Sequence, residues 1–294
     1  MNKLILVCIL VILSLSTHAD TSPQVTVDSD VFSQRLSSEV HYLEDPSGTL
    51  EVHELVKNET SATHFQPYTK EAIQLGYSNS TYWFKLVINN AIPAKKTAAD
   101  SSSNHADKLY IQVGYPLLDE VEFYQYASNR QLQRISTGDT QHFSKRPLAL
   151  VDFVFPFYMH KNSTHTLYIR VKSQSSLSIP LYLHSEKGFV EQQFSTNTSN
   201  GIYLGIALGL LTYNLFLWLG VKNRVYGLYV LLIINLILFN TTLLGYAYKL
   251  LPHFVSFQQI SIYLFSISSA IAVYLFGVTT TPNPQLFAAE HQPK

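Results

Sequence analysis

The chain has 294 residues, with 20 basic and 20 acidic side chains, and only 14% of its residues are charged. Soluble domains average about 25% charged residues, and the deficit here falls in the C-terminal part, because Glu290 is the only acidic residue after Glu191. A single compact soluble domain is therefore excluded, and so is a nucleic-acid-binding protein, since no basic stripe is present to neutralise phosphates.

The first 19 residues have the layout of a secretory signal peptide. Lys3 precedes an apolar core of about ten residues, and small residues close the segment. Because this core is shorter than the ~20 residues that cross a bilayer, an uncleaved anchor is the less favoured alternative. Cys8, the only cysteine, lies inside this segment. Disulfides, thiolate metal sites and cysteine nucleophiles are therefore not expected in the exported chain.

Residues 20–195 are predicted to form a periplasmic β-sandwich of jelly-roll type. Short runs with β-branched and aromatic residues alternate with turn residues, and no stretch shows a clear helical period, so helices are expected to be few. The polar stretch 91–108 is expected to be a long exposed loop. The predicted strands are 50–56, 82–88, 109–113, 121–124, 151–157, 167–171 and 179–183.

Residues 196–279 contain three predicted transmembrane helices, at about 201–220, 225–246 and 259–278. None of the three holds a charged residue, and each is long enough to cross the ~30 Å hydrocarbon layer. The turn between the first two carries Lys222 and Arg224. By the positive-inside rule this turn is cytoplasmic, which places the sandwich in the periplasm and the short tail 280–294 in the cytoplasm of a bacterial inner-membrane protein.

Small and amide side chains within these spans indicate packing between helices. Three glycines recur at four-residue spacing in the first span: Gly201, Gly205 and Gly209. Asn214, Asn235 and Asn240 lie at membrane depth, so each is expected to find a partner on another helix. Packing is favoured over a role as a conformational switch. Three helices offer little buried surface for these groups, which suggests a larger bundle or a homo-oligomer.

Catalytic machinery is not predicted. Glu120 and Glu122 share a strand face, but nothing places a second carboxylate opposite them, as a glycoside hydrolase would require. The histidines show no metal-site spacing, and neither a Gly-x-Ser-x-Gly elbow nor a Gly-rich phosphate loop occurs. We therefore expect no enzymatic activity, no metal and no cofactor.

Four side chains of the sandwich are candidates for ligand contact: Tyr115, Asp139, Arg146 and Trp83. Tyr115 follows a glycine at a strand end, where its ring could be exposed. Asp139 and Arg146 could meet a polar ligand, although a structural ion pair between them is the favoured alternative. Alternation places Trp83 on the strand face opposite both of its neighbours, and a place in the core is favoured over ligand contact.

Motifs in both halves resemble the bacterial seven-transmembrane receptors with diverse intracellular signalling modules, the 7TMR-DISM family. In the sandwich, the similar segments are 42–48 (Tyr-Leu-Glu-Asp-Pro-Ser-Gly), 76–78, 82–85, 114–121, 137–139 with Phe143 and 146–147, and 153–156. In the membrane half they are 213–217, 222–224 with Tyr226, and 245–248. The resemblance covers roughly residues 40–248.

This resemblance implies a sensory receptor. Its sandwich, similar in fold to carbohydrate-binding modules, would sense a small-molecule or carbohydrate ligand, and its bundle would signal to an output such as a diguanylate cyclase or a histidine kinase. The sequence has three spans and no output module, so we expect a truncated product of a longer receptor gene, acting with the remaining receptor half or as an oligomer. The alternative is a non-signalling periplasmic interaction scaffold. An ion pathway is disfavoured, because the spans lack charged residues.

Overall fold

The computed structural model describes residues 24–57, 65–92, 106–252 and 255–280. The predicted signal peptide 1–19, most of the polar stretch 91–108 and the tail beyond residue 280 lie outside these residues. Thirteen strands occur in the described part of the chain: β1 (Gln24–Val27), β2 (Ser33–Leu36), β3 (His41–Asp45), β4 (Gln66–Pro67), β5 (Gln74–Gly76), β6 (Thr81–Asn90), β7 (Asp107–Val113), β8 (Glu120–Ala127), β9 (Arg130–Thr137), β10 (Phe153–Met159), β11 (Ser163–Lys172), β12 (Leu177–Ser178) and β13 (Leu181–Ser185).

Two sheets face each other and confirm the predicted sandwich. The larger has the order β4-β3-β6-β11-β8-β9, and β1 pairs with the same edge of β6 as β3 does. The smaller has the order β10-β7-β13-β2, and β5 with β12 forms a separate pair. All pairings are antiparallel except that of β1 with β6. The inward-facing side chains of both sheets form one continuous apolar core.

Alternation along the strands decides which side chains enter this core. Tyr82 and Phe84 in β6 belong to it, whereas Trp83 between them lies on the outer face of the large sheet, in a second apolar cluster. Phe123 in β8 stacks on Phe155 in β10, with ring centroids 5.1 Å apart, and so joins the two sheets. The prediction that Trp83 lies on the strand face opposite both of its neighbours is confirmed. Trp83 is buried on the outer face of the large sheet and not in the main core.

One predicted strand is wrong, because residues 50–56 do not form an extended segment. Helix α1 spans Val52–Lys57 instead, and its buried residues are Val52 and Val56. Two buried positions four residues apart lie on one face of a helix, and they also satisfy the two-residue alternation of a strand. The sequence pattern therefore fitted both structures, and burial against the large sheet selects the helix.

Helix α2 runs from the sandwich into the membrane half without a break. It spans Glu186–Val221, 36 residues, directly after β13. Its N-cap Ser185 accepts a hydrogen bond from the Gly188 amide at 3.1 Å and one from the Phe32 amide at 2.9 Å. A Cβ on Gly188 would lie 2.0 Å from the Phe32 carbonyl oxygen, so only glycine permits this close packing. The helix start is thereby fixed to the sandwich.

Three further helices follow α2 in the described residues. We call these helices, together with the apolar part of α2, the bundle. The helices that follow α2 are α3 (Arg224–Leu243), α4 (Tyr246–Leu250) and α5 (Val255–Thr280). Three helices are long and apolar enough to cross a membrane: Glu186–Val221, Arg224–Leu243 and Ile260–Thr279. The predicted three spans are thus confirmed by length and composition. The tight turn between α2 and α3 has Lys222 in the left-handed conformation as C-cap.

Candidate functional site

A cleft of about 600 Å³ lies on the outer face of the large sheet. One rim is the loop that leads from β3 into α1, and the floor comes from four neighbouring strands. Register brings the floor together, because Trp83, Arg170 and Glu122 are directly cross-strand partners on β6, β11 and β8. The lining residues are Gly48, Thr49, Leu50, Glu51, Val52, His53, Trp83, Glu122, Tyr124, Gln131, Arg134 and Arg170.

The rim loop is shaped by one buried carboxylate. Asp45 accepts hydrogen bonds from the amides of Gly48 at 2.9 Å and Leu50 at 3.0 Å, and from the Ser47 hydroxyl at 2.6 Å. Burial alone would raise the pKa of Asp45, but these donors outweigh it and hold the pKa below its ordinary value. Gly48 has a φ of +67°, which favours glycine at the turn. The Asp-Pro-Ser-Gly motif therefore builds the rim of the cleft.

Both arginines of the floor are held in ion pairs, one with Glu122, which lines the cleft, and one with Glu120, which lies outside the lining. Arg134 lies 3.4 Å from Glu122, and Arg170 lies 3.2 Å from Glu120, measured between the guanidinium nitrogens and the carboxylate oxygens. The Tyr124 hydroxyl donates to Glu122 at 2.5 Å. Burial, followed by this hydrogen bond to a carboxylate, raises the pKa of Tyr124, so the phenol stays neutral at physiological pH. The floor therefore presents several polar groups with almost no net charge.

Trp83 lies beneath these pairs and is only 1% exposed. Its ring packs against Tyr124, with centroids 5.8 Å apart, so the indole face is covered and cannot serve as an open stacking platform. The indole Nε1, however, has no hydrogen-bond partner in the described part of the chain. A buried donor without a partner is costly. Of the four ligand candidates from the sequence, Trp83 is the one that lines the cleft.

The other three candidates lie away from the cleft, near the end of the sandwich that meets the bundle. Tyr115 is half-buried against the main core. Asp139 and Arg146 are each 6% exposed. No ion pair joins these two residues in the described structure; the Arg146 guanidinium donates instead to backbone carbonyls, those of Leu150 at 3.2 Å and Pro116 at 3.3 Å.

Asp139 lies in an unfavourable place for a negative charge. Burial and the neighbouring Asp119 carboxylate raise its pKa to about 7, although Arg146 opposes the shift. Burial likewise lowers the pKa of Arg146 to about 10. Gly138 fixes this arrangement, since a Cβ there would lie 1.9 Å from the Asp119 carbonyl oxygen. The Thr-Gly-Asp motif thus holds two carboxylates close together.

Sequence reasoning missed Tyr124, Arg134 and Arg170 as cleft residues. The signal that could have found them was the pair Glu120 and Glu122, whose alternation marks an outward-facing strand edge. Their arginine partners are 50 and 12 residues away in sequence. Strand order decides which residues meet at such separations, and alternation along one strand does not specify it.

The three asparagines of the predicted spans differ in their hydrogen-bond partners. Asn235 confirms the expected inter-helix partner, because its amide donates to Ser268 and its carbonyl accepts from Ser269 at 2.5 Å, both on α5. Asn214 and Asn240 make no inter-helix hydrogen bond within the described residues, so for them the expectation stays a prediction. Their amides donate to carbonyls one turn back on their own helix, at 2.8 and 2.9 Å. A helix carbonyl can accept a second hydrogen bond, so each amide has one partner on its own helix.

The glycine repeat of the first span faces no other helix within the described chain. A Cβ built on Gly201, Gly205 or Gly209 would meet no atom within 4 Å. Close packing on this face therefore stays a prediction.

Comparison with known families identifies both halves. The model for the 7TMR-DISM extracellular 2 domain matches residues 37–185, which is just over half of the chain. The model for the seven-transmembrane region with diverse intracellular signalling matches residues 196–285. No curated protein matches the chain. A sandwich domain followed by apolar spans is the arrangement that these two matches share with the structure, and the chain belongs to the 7TMR-DISM family of membrane sensory receptors.

Proposed function

We propose that this receptor binds a small polyhydroxylated ligand, of the carbohydrate class, in the cleft on the large sheet. The observation that carries the proposal is the cleft lining, where two arginines, the Glu51 and Glu122 carboxylates and the Gln131 amide meet on one concave surface. Hydroxyl groups both donate and accept hydrogen bonds, so they can satisfy all of these groups at once.

Charge balance favours a neutral ligand over an anion. The lining carries Glu51 and Glu122 against Arg134 and Arg170, and each arginine already pairs with a glutamate. An anion would have to displace a carboxylate from its partner, whereas a neutral polyol adds hydrogen bonds to the existing pairs. This supports a sugar or sugar-like ligand.

The proposed orientation places the sandwich in the periplasm of a bacterial inner-membrane protein. Lys222 and Arg224 lie in the turn between α2 and α3. Basic residues in short turns favour the cytoplasmic side, and a cytoplasmic turn after the first span leaves the sandwich outside. Ligand binding would then act across the membrane by favouring one arrangement of sandwich and bundle over another.

The test is a binding screen on the full chain in lipid nanodiscs. Thermal unfolding of the sandwich is followed while a panel of mono- and oligosaccharides is added. A ligand at about one hundred times its dissociation constant should stabilise the folded state by about 2.7 kcal/mol.

Arg134→Ala should abolish the ligand-dependent increase in melting temperature. Arg130→Ala, an exposed arginine on the same strand that does not line the cleft, should preserve it. If no sugar changes the melting temperature, the carbohydrate proposal is rejected, and the interaction scaffold becomes the better description of the sandwich.

A further inference from the structure

The loop between the second and third spans touches the sandwich. Gly245, at the start of this loop, has a φ of +75°, and a Cβ there would lie 2.8 Å from Pro116 Cβ and 3.5 Å from Val151 Cβ. Tyr248 on α4 is 1% exposed, and its ring meets Phe143 edge-on at 5.4 Å. We call this contact the junction: Pro116, Phe143, Arg146 and Val151 from the sandwich, and Gly245 and Tyr248 from the loop.

Arg146 lies at the centre of the junction. Its guanidinium donates to the carbonyls of Pro116, Leu150 and Val151. Three aromatic rings surround its Cζ atom: Phe153 at 4.3 Å, Tyr248 at 5.2 Å and Phe143 at 5.3 Å. A planar cation with several donors can hold carbonyls at its edge and rings at its faces. One side chain therefore binds loops of the sandwich to a loop of the bundle.

The junction is buried, but some of its polar atoms have no hydrogen-bond partner in the part of the chain that the structure describes. Within the described chain, Arg146 Nε and the Tyr248 hydroxyl are buried without hydrogen-bond partners, and so is Oδ1 of Asp139, which lies beside the junction. Each belongs to a residue at most 6% exposed. Buried polar groups are paired in most native structures. Unpaired buried polar groups destabilise this contact relative to any arrangement in which they find partners.

A short path connects the junction to the cleft. Glu122 lines the cleft, and six residues earlier in the chain the Pro116 carbonyl accepts from Arg146. Between them, the Asp119 carbonyl accepts from Thr140 at 2.7 Å, and the Leu118 carbonyl accepts from the Asp139 amide at 2.9 Å. A shift of the first residues of β8 on ligand binding would therefore move groups that hold the junction.

We propose that the junction centred on Arg146 is the contact through which the sandwich controls the bundle, closing over Tyr248 in one state and releasing it in another. The proposal deepens, and for its biological role rests on, the receptor function proposed above. The present structure is the closed state. In the open state Tyr248 leaves the guanidinium, and the loop that joins the second and third spans becomes free to move.

The first test measures the junction without any ligand. Val151→Cys is introduced with Cys8→Ser in the full chain in nanodiscs, and its rate of labelling by a membrane-impermeant maleimide is recorded. Arg146→Met and Tyr248→Leu should each raise this rate about tenfold, the effect expected for loss of a buried cation–aromatic contact. The double variant should label no faster than the faster single variant, because both changes break one contact.

Matched controls come from the other tyrosine of α4 and from an arginine of the sandwich that lies outside the junction. Tyr246→Leu changes the other tyrosine of α4, whose hydroxyl accepts from Asn200, and Arg35→Met changes an exposed arginine of the small sheet; neither should alter the rate. Gly245→Ala opens the junction from the loop side and should raise the rate even if Arg146→Met unfolds the sandwich. Unchanged labelling in all junction variants, or effects that multiply in the double variant, would overturn the proposal.

The second test asks whether the bundle responds to the sandwich. Thr242 near the end of α3 is 1% exposed, and Thr242→Cys reports on the bundle. Arg146→Met should raise its labelling severalfold, whereas Arg35→Met should not. An identical rate with and without Arg146 would mean that the junction is only an attachment. Because neither test uses a sugar, failure of the carbohydrate screen leaves both results interpretable.

Discussion

Asp139 combines burial with a neighbouring carboxylate, and its protonation should affect the stability of the sandwich. Its pKa is raised to about 7 by burial and by Asp119. The sequence predicted that Asp139 and Arg146 would lie in one region, because a short turn separates them. The sequence could not show that Arg146 binds carbonyls instead, since those acceptors come from other segments of the fold.

The pH dependence of stability follows from this raised pKa. Between the ordinary pKa of 3.8 and the folded value of about 7, the folded state holds a proton that the unfolded state has lost, so stability falls as pH rises through this window and levels off above it. Asp139→Asn should remove the penalty. Its advantage over the native chain should be small near about pH 4 and reach up to about 4 kcal/mol above about pH 7.

This prediction is checked by denaturant unfolding of the full chain in micelles, followed by near-ultraviolet circular dichroism at several pH values. Asp28→Asn, which alters an exposed carboxylate on the sandwich, is the control and should leave the pH profile unchanged. A profile of Asp139→Asn that runs parallel to that of the native chain would contradict the assignment.

At the scale of elements, the alternation of apolar and polar residues predicted the long strands. It failed at residues 52–57, where the spacing of apolar residues fits both a strand and a helix. β6, β8 and β11 were recognised because they are long and rich in aromatic and β-branched residues. β2 and β9 were not predicted, because they carry many polar residues and consecutive exposed positions on both faces, so no apolar alternation marks them. The cleft depends on the order β6-β11-β8-β9, and only the folded structure supplies that order.

The bundle offers a comparison between two asparagines in similar surroundings. Asn235 links α3 to two serines of α5, whereas Asn214 bonds within α2. Asn235→Ala should therefore destabilise the bundle by about 1 kcal/mol, the typical value for an inter-helix hydrogen bond in a membrane. Asn214→Ala should have little effect on the pairing of α3 with α5.

Unfolding of the bundle in mixed micelles, with cysteine protection at Ala272→Cys as readout, measures both variants, because Ala272 on α5 is buried. Ser268→Ala serves as the partner change and should not add to the effect of Asn235→Ala. Equal losses from Asn235→Ala and Asn214→Ala would show that the two amides contribute in the same way, against this interpretation.

At the scale of the whole molecule, the sandwich is attached to the bundle at two places. One is α2, which continues from β13 after the N-cap Ser185, and the other is the junction at Tyr248. The family matches divide the chain between residues 185 and 196, which is the part of α2 between the sandwich and the membrane. A break in the helix here would lie at the boundary between the two matched regions.

Thr196→Pro places a helix breaker in this exposed part of α2. Proline inside a helix removes a hydrogen bond and costs about 3 kcal/mol locally, so the helix should kink while the sandwich keeps its melting temperature. A spin label on the sandwich in nanodiscs should then show faster reorientation relative to the membrane. Thr196→Ala should leave the motion unchanged, and a slow label in the proline variant would mean that the junction alone holds the domain.

Because α2 is uninterrupted, it restricts which motions of the sandwich can be passed to the first span. A helix of 36 residues is about 54 Å long, and it resists both bending and twisting over that length. Gly188 packs closely against Phe32, so the start of α2 is fixed to the sandwich. A tilt of the sandwich must therefore tilt α2, and a rotation of the sandwich must rotate α2 about its own axis. A ligand that only loosens surface side chains of the sandwich would produce neither the tilt nor the rotation of α2.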